Sequence, residues 1–326
     1  SSKAASQSPM PHVQRGAISR TLARGGLTVS QTRGTTDATS TGQRSGLQFA
    51  VGAPWSSSSN DTPLRGRDDR ATVTRSQTRV DAHVKVLDDE VVARAKARGI
   101  DALVYAPHFT RLPTIRERAA RYSDDELTVV PAREVFTGDW GNRRHLLVVG
   151  LTDPVPDYIT FEGAMAEFER QDAAVLVPHP GFATISLTRP EVDAHADRLD
   201  AVETYNTKLL PHQNARARRT AEATGRPGFG SSYAHLSGTV GEAWTAFEGD
   251  LDDEAEIVDA FRERRPRTVI HRGGIGHRLR GLVEFAHLGY ENTWVKLDRM
   301  FLSGDEPTLP SNVAYEGRFD DVSVYE

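Results

Sequence analysis

Residues 80–108 read VDAHVKVLDDEVVARAKARGIDALVYAPH. Val80–Val84 is a short apolar run, Asp88–Arg98 carries a helical pattern, and Gly99 is the stop glycine common past a helix C-terminus. Ala102–Ala106 is a second apolar run, and His83 and His108 fall at or just past the ends of the two runs. The stretch therefore predicts strand, helix, strand, with imidazoles gathered where the strands finish.

The same unit recurs outward from it. Further apolar runs lie at Leu127–Pro131, His145–Leu151, Ala173–Pro178, Leu199–Tyr205 and Gly228–Ser232, and helical stretches at Thr114–Tyr122, Phe161–Gln171 and Pro211–Thr224, the last stopped by Gly225. Strand–helix alternation predicts an α/β fold with a largely parallel sheet, and seven runs between Val80 and Ser232 favour a closed barrel over an open sheet. An open doubly wound sheet normally carries a glycine-rich phosphate loop after its first strand, and Val84–Asp88 holds no glycine. After Ser232 the pattern predicts helices at Gly238–Phe247, Asp252–Arg264 and His271–Gly289. Residues 251–326 thus form a C-terminal helical cap and acidic tail.

Residues 1–75 differ in texture. They are rich in Ser, Thr, Gly and Arg with no sustained period, too polar to offset their ordering entropy, which predicts a disordered tail. The tail resembles a transit peptide in being Arg- and Ser-rich, but shows no amphipathic helix; a basic tail without fixed structure, or a mis-set translation start, is the better reading. Residues 1–80 hold 11 Lys and Arg against 4 Asp and Glu, leaving 29 basic and 41 acidic residues for the rest. An acidic body argues against a broad nucleic-acid surface. No apolar run approaches the roughly 18 residues of a membrane span. The chain has no cysteine, so disulfides, thiolate zinc sites and a thiol nucleophile are excluded, and a cytoplasmic location is the default expectation.

Five of the 11 histidines occupy one kind of position. His83, His108, His179 and His235 sit at or just past predicted strand ends, His145 opens a strand facing the same rim, and Glu134 follows the third strand. A single histidine at a strand end is usually a hydrogen-bonded structural residue. Five together at a barrel rim, where distant segments converge, point to a site for a divalent ion such as Zn, Mn or Fe. His271 and His277, near Gly273-Gly274, are candidates to cover that site.

These strings resemble the PHP (polymerase and histidinol phosphatase) family. Asp81-Ala82-His83-Val84-Lys85 is similar to the family's Asp-x-His-x-His, Ala106-Pro107-His108 to Thr-Asp-His, and Ala132-Arg133-Glu134 to Gly-x-Glu. His145-Leu146-Leu147 matches a histidine opening an apolar strand, and Pro178-His179-Pro180-Gly181 matches Ala-His-Pro. Glu203-Thr204-Tyr205-Asn206 matches Glu-x-x-Asn, and Ser232-Tyr233-Ala234-His235 matches Ser-Asp-Ala-His. Each string is weak alone, and seven in order are specific. The resemblance implies a distorted (β/α)7 barrel over residues 76–250, with the C-terminal helical extension and the N-terminal tail outside it. It also implies up to three metals and hydrolysis of phosphate esters.

Carried over residue by residue, the resemblance implies one ion on Glu134, His145 and His179, all present. A second would use His83, Glu134 and the positions of Lys85 and Tyr233, where two ligands are lost. A third would use His108 and His235 with a group after the first strand, for which Asp88 or Asp89 is available. One or two ions per chain are therefore expected. Charged lysine offers no lone pair. Either the Lys85 ammonium takes the vacated position and pairs with Glu134, or the site has decayed and Lys85 faces solvent. In the loop Gly138–Arg144, Arg143 and Arg144, with Lys85, are candidates to neutralise a phosphate, and Trp140 to stack on a base or sugar. The expected function is a metal-dependent phosphoesterase acting on a small phosphorylated or nucleotide substrate. The alternatives are a catalytically inactive PHP-like protein kept for structural or partner-binding roles, and hydrolysis of a non-phosphate bond on a related amidohydrolase barrel.

Overall fold

The computed structural model describes residues 76–139, 141–182, 185–290 and 308–324, with only the backbone for 288–290. The expected N-terminal tail, Trp140 and most of the acidic tail lie outside them.

The seven expected strands are present: β1 (Gln77–Val84), β2 (Ala102–Tyr105), β3 (Thr128–Thr137), β4 (Arg144–Val149), β5 (Ala174–Val177), β6 (Ala201–Asn206) and β7 (Gly228–Ser231). They lie in chain order in one sheet. Between them run α1 (Asp89–Ala97), α2 (Leu112–Tyr122), α3 (Phe161–Arg170), the short α4 (Arg189–Ala194) and α5 (Pro211–Thr224). Helix α1 starts where Asp88 accepts from the Val91 amide, and α5 stops at Gly225, whose φ of 65° suits a residue without Cβ.

The sheet is not wholly parallel. β1, β2 and β3 run parallel, and so do β5, β6 and β7, but β4 is antiparallel to both its neighbours. The segment from β3 to β4 is a short loop without a helix, so β4 returns as the second arm of a hairpin with Phe136 opposite His145. The start of β4 therefore meets the finishing ends of the other strands, which brings His145 to their rim. The ring then closes toward β1. The amide of Lys85 donates to the Ala234 carbonyl at 2.9 Å, and the Ser232 amide donates to Asp81 at 2.8 Å.

A bulge breaks the register of β1 between Asp81 and Val84. Val80 and Ala82 pack with Ala102, Val104, Ala132 and Leu147 inside the barrel, whereas Val84 packs outside with Leu87, Val91 and Ile115. The change of facing turns His83 and Lys85 inward, a usual effect of bulges beside functional sites.

The C-terminal part keeps the two expected helices after Asp252 but adds two strands that depart from expectation. Within the expected helix Gly238–Phe247 the chain instead enters β8 (Ala243–Glu248), antiparallel to β1. Next come α6 (Glu254–Arg262), β9 (Arg267–His271) paired antiparallel to β8, and α7 (Gly274–Tyr290). The reason is local. Trp244, Thr245 and Phe247, and then Thr268, Val269 and Ile270, are aromatic and β-branched side chains that suit a pleated surface. Thr245 is fully buried and exchanges hydrogen bonds with the backbone of Gly230, tying β8 to β7. Helix α6 inserts Ile257 and Phe261 against Phe229, Phe247 and the interior small residues. Among the described residues no helix is long and apolar enough to cross a membrane.

Candidate metal centre

Above that apolar interior the side chains turn polar, and Glu134 lies at their middle. It projects from β3, is 1% exposed, and is met on both oxygens. Its Oε1 lies 3.2 Å from His145 Nδ1, 3.1 Å from His179 Nε2 and 3.9 Å from His83 Nε2. Its Oε2 lies 2.6 Å from Lys85 Nζ and 3.0 Å from His108 Nδ1. Burial raises the Glu134 pKa, but Lys85, His145 and His108 together outweigh it and hold the carboxyl well below the ordinary range. Burial, opposed by Glu134, takes His145 down to about 4. His83 is also driven low, by burial first and then by Lys85.

The surrounding structure holds the rings in position. His145 donates its amide to the Ile185 carbonyl at 2.8 Å. The neighbouring Ser186 hydroxyl is 2.6 Å from His179 Nδ1, leaving Nε2 of that ring turned to Glu134. The backbone at His179 has φ of 33°, strained for a residue with a Cβ, and its amide is tied at 2.7 Å to the buried Glu203 carboxylate. Asn206 and Ser231 also donate to Glu203, and burial raises its pKa. Tyr233 has positive φ too, 48°, and its ring is 4.5 Å from that of His83 and 5.2 Å from that of His179.

Most of the expected side chains thus meet. His83, Lys85, His108, Glu134, His145 and His179 are neighbours, and the ring of His235 lies 5.9 Å from that of His108. Lys85 is turned inward, and it also donates to the Ala106 carbonyl at 2.6 Å. The other expectations place differently. Arg144 pairs with Glu191 of α4 at 2.9 Å. Asp88 caps α1. His277 lies between Glu242 and Tyr205 at 2.7 Å from each, and His271 stacks on Tyr205 at 4.0 Å, away from Glu134.

Two functional candidates had no signal in the sequence. Lys208, just past β6, is 1% exposed, with Nζ 2.7 Å from His235 Nδ1 and 4.7 Å from the Tyr233 ring centre. Glu284 of α7 is fully buried and accepts from the amides of His235 and Leu236. A rim lysine and a helical glutamate look like surface residues until the fold puts them together.

The cluster suits a divalent ion. One ligand atom each from Glu134, His145 and His179 lies within 4.8 Å of the others, and all three residues are buried. His145 Nε2 and both ring nitrogens of His83 are buried and make no hydrogen bond among the described residues. Unpaired buried polar atoms are costly and rare unless another group is meant to meet them. Two imidazoles and a carboxylate are a donor set for Zn, Mn or Fe.

Fold and cluster define the class, a distorted PHP-like barrel with a buried histidine–glutamate centre at its rim. A family model described as PHP-associated matches residues 211–266, the segment supplying β7, Tyr233, His235 and β8. The solved structure of PsfC from Pseudomonas syringae PB-5123 superposes over 67% of this chain and 99% of its own, with TM-score 0.52 and 19% identity, and so shares the fold. A putative metal-dependent phosphoesterase from Bifidobacterium adolescentis matches at 14% identity and TM-score 0.39 over 56% of this chain and 95% of its own. The lesion-specific endonuclease EndoQ from Pyrococcus furiosus matches at 15% and 0.42 over 60% and 58%. No curated protein sequence matches the chain.

Proposed function

We propose that this protein is a metal-dependent hydrolase of phosphate esters, with Glu134, His145 and His179 holding the ion. The convergence of those three donors from β3, β4 and the end of β5 carries the reading. A divalent ion so held supplies Lewis acidity toward a phosphoryl oxygen and the attacking water. The protein's own part is orientation. Ser186 and Glu203 fix His179 from side chain and backbone, and Lys85 fixes Glu134.

A phosphate ester is favoured by the cleft next to Lys85. It encloses about 500 Å³ and is lined by Lys85, Arg111, Arg118, Thr110 and Thr114, with Asp88 the single carboxylate in the lining. Such a wall attracts an anion, and guanidinium groups suit phosphate oxygens. Lys85, Arg111 and Arg118 are the cationic groups this cleft offers to the substrate. The acidic balance of residues 81–326 favours a small or single-nucleotide substrate over a long nucleic acid.

The test is hydrolysis of an aryl phosphate and an aryl phosphodiester by the full chain in Mn²⁺ or Zn²⁺. Turnover lost in His179→Ala supports the proposal. A second reading, a barrel kept for binding without catalysis, is favoured by the ammonium already seated on Glu134. It predicts bound metal with no turnover on either substrate.

A further inference from the structure

Two lysines are buried in this rim, and both face one ring. Lys85 Nζ is 5.6 Å and Lys208 Nζ 4.7 Å from the centre of Tyr233. Each stands beside a side chain that an additional ion would need. Lys85 takes Glu134 Oε2 at 2.6 Å, on the side of the cluster where His83 and Tyr233 stand. Lys208 takes His235 Nδ1 at 2.7 Å, beside His108. Nδ1 of His235 also lies 2.9 Å from the Tyr233 carbonyl, so the ring edge is held between that carbonyl and the lysine. Glu284 supplies a countercharge, its Oε2 3.8 Å from Lys208 Nζ, and is itself held by the amides of His235 and Leu236. Helix α7 thereby closes the second half of the rim around a lysine.

We infer that the centre takes one divalent ion per chain, and that Lys85 and Lys208 are fixed cations standing where further ions would otherwise bind. The inference rests on the metal reading above and narrows it. A divalent ion at His83 or at His235 would sit at close like-charge range to an ammonium group in a dry site. Glu134, His145 and His179 have no ammonium on Oε1, the two nitrogens facing it belonging to imidazole rings, which in their neutral form offer a lone pair to a metal. Among the described residues these three alone bring their donors together.

The test is metal content by mass spectrometry on the full chain, stripped with chelator, reloaded with Zn²⁺ or Mn²⁺ and freed of unbound ion. One ion per chain is expected. Lys85→His removes the charge and restores a ligand beside His83, and the content should rise toward two. Should that variant not fold, as judged by circular dichroism, Lys208→Met is the substitute. It frees His235 and should also raise the content above one. Two or three ions in the unaltered chain would overturn the inference while leaving the metal reading standing. No ion would overturn the metal reading and the inference together. A content of one that stays at one in a folded variant would remove the lysines as its cause.

Discussion

Replacing Glu134 by glutamine removes the countercharge of Lys85 with almost no change of shape. The pair is 2.6 Å apart, with side-chain exposures of 3% for the lysine and 0% for the glutamate. At an effective dielectric of about 20, charges at that separation attract by about 6 kcal/mol, a gross figure before desolvation is counted. What the variant loses is the pairing, while the ammonium remains buried, and such a change typically costs about 3–5 kcal/mol. Lys85→Met should cost less. It leaves the Glu134 carboxylate beside His108, His145 and His179 at 3.0–3.2 Å, and their ring N–H groups can still serve it. The double variant should then be more stable than the two single losses predict, with an interaction energy of about 2 kcal/mol or more. Urea unfolding of the four proteins at one pH in chelator measures each term. Additive losses, or a Glu134→Gln loss below about 1 kcal/mol, would refute the reasoning that Lys85 depends on Glu134.

Other outcomes follow from the same structure. Adding Zn²⁺ at one hundred times its dissociation constant should stabilise the unaltered protein by about 2.7 kcal/mol, seen as a rise in Tm, and His179→Ala should remove the rise. Asp157 is fully buried and receives Arg133 Nη2 at 2.9 Å and the Phe136 amide at 3.0 Å. Asp157→Ala should therefore cost about 3–5 kcal/mol in urea unfolding, and a loss under 1 kcal/mol would mean that the pair is dispensable. Burial raises the carboxyl of Asp81 from 3.8 to about 7, so the folded state takes up a proton that the unfolded chain does not. That contribution to stability is present below about pH 4 and is lost as pH rises through about 7. The stability difference between Asp81→Asn and the unaltered protein should drift in favour of the variant between pH 4 and 8, by about 4 kcal/mol; a flat difference would show that Asp81 titrates normally.

How far the molecule is legible in its sequence depends on which residues are asked. The strands β1–β7 announce themselves because each contains a short apolar run, and the central trio because Glu134 and His179 follow such runs and His145 opens one, although β3 extends past Glu134 to Thr137. The reversal of β4 is foreshadowed only by the missing helix between it and β3. The bulge in β1 has no local mark, yet it is what turns both His83 and Lys85 inward. Gly238–Phe247 reads as helix because its apolar run is short and mixed, and pairing of β8 with β1 settles its state. Lys208 and Glu284 lie 76 positions apart, and neither differs in type from an exposed residue. Arg144 illustrates the converse, since a guanidinium next to a predicted ligand still goes to its nearest carboxylate, here Glu191.

The position of a bound ion is the decisive observable. Crystals of the Zn²⁺-loaded protein, with anomalous differences collected across the zinc edge, should give one peak about 2.0–2.2 Å from a Glu134 oxygen and from one nitrogen each of His145 and His179. Anomalous density elsewhere, with those three side chains still hydrogen-bonded only to one another, would contradict it.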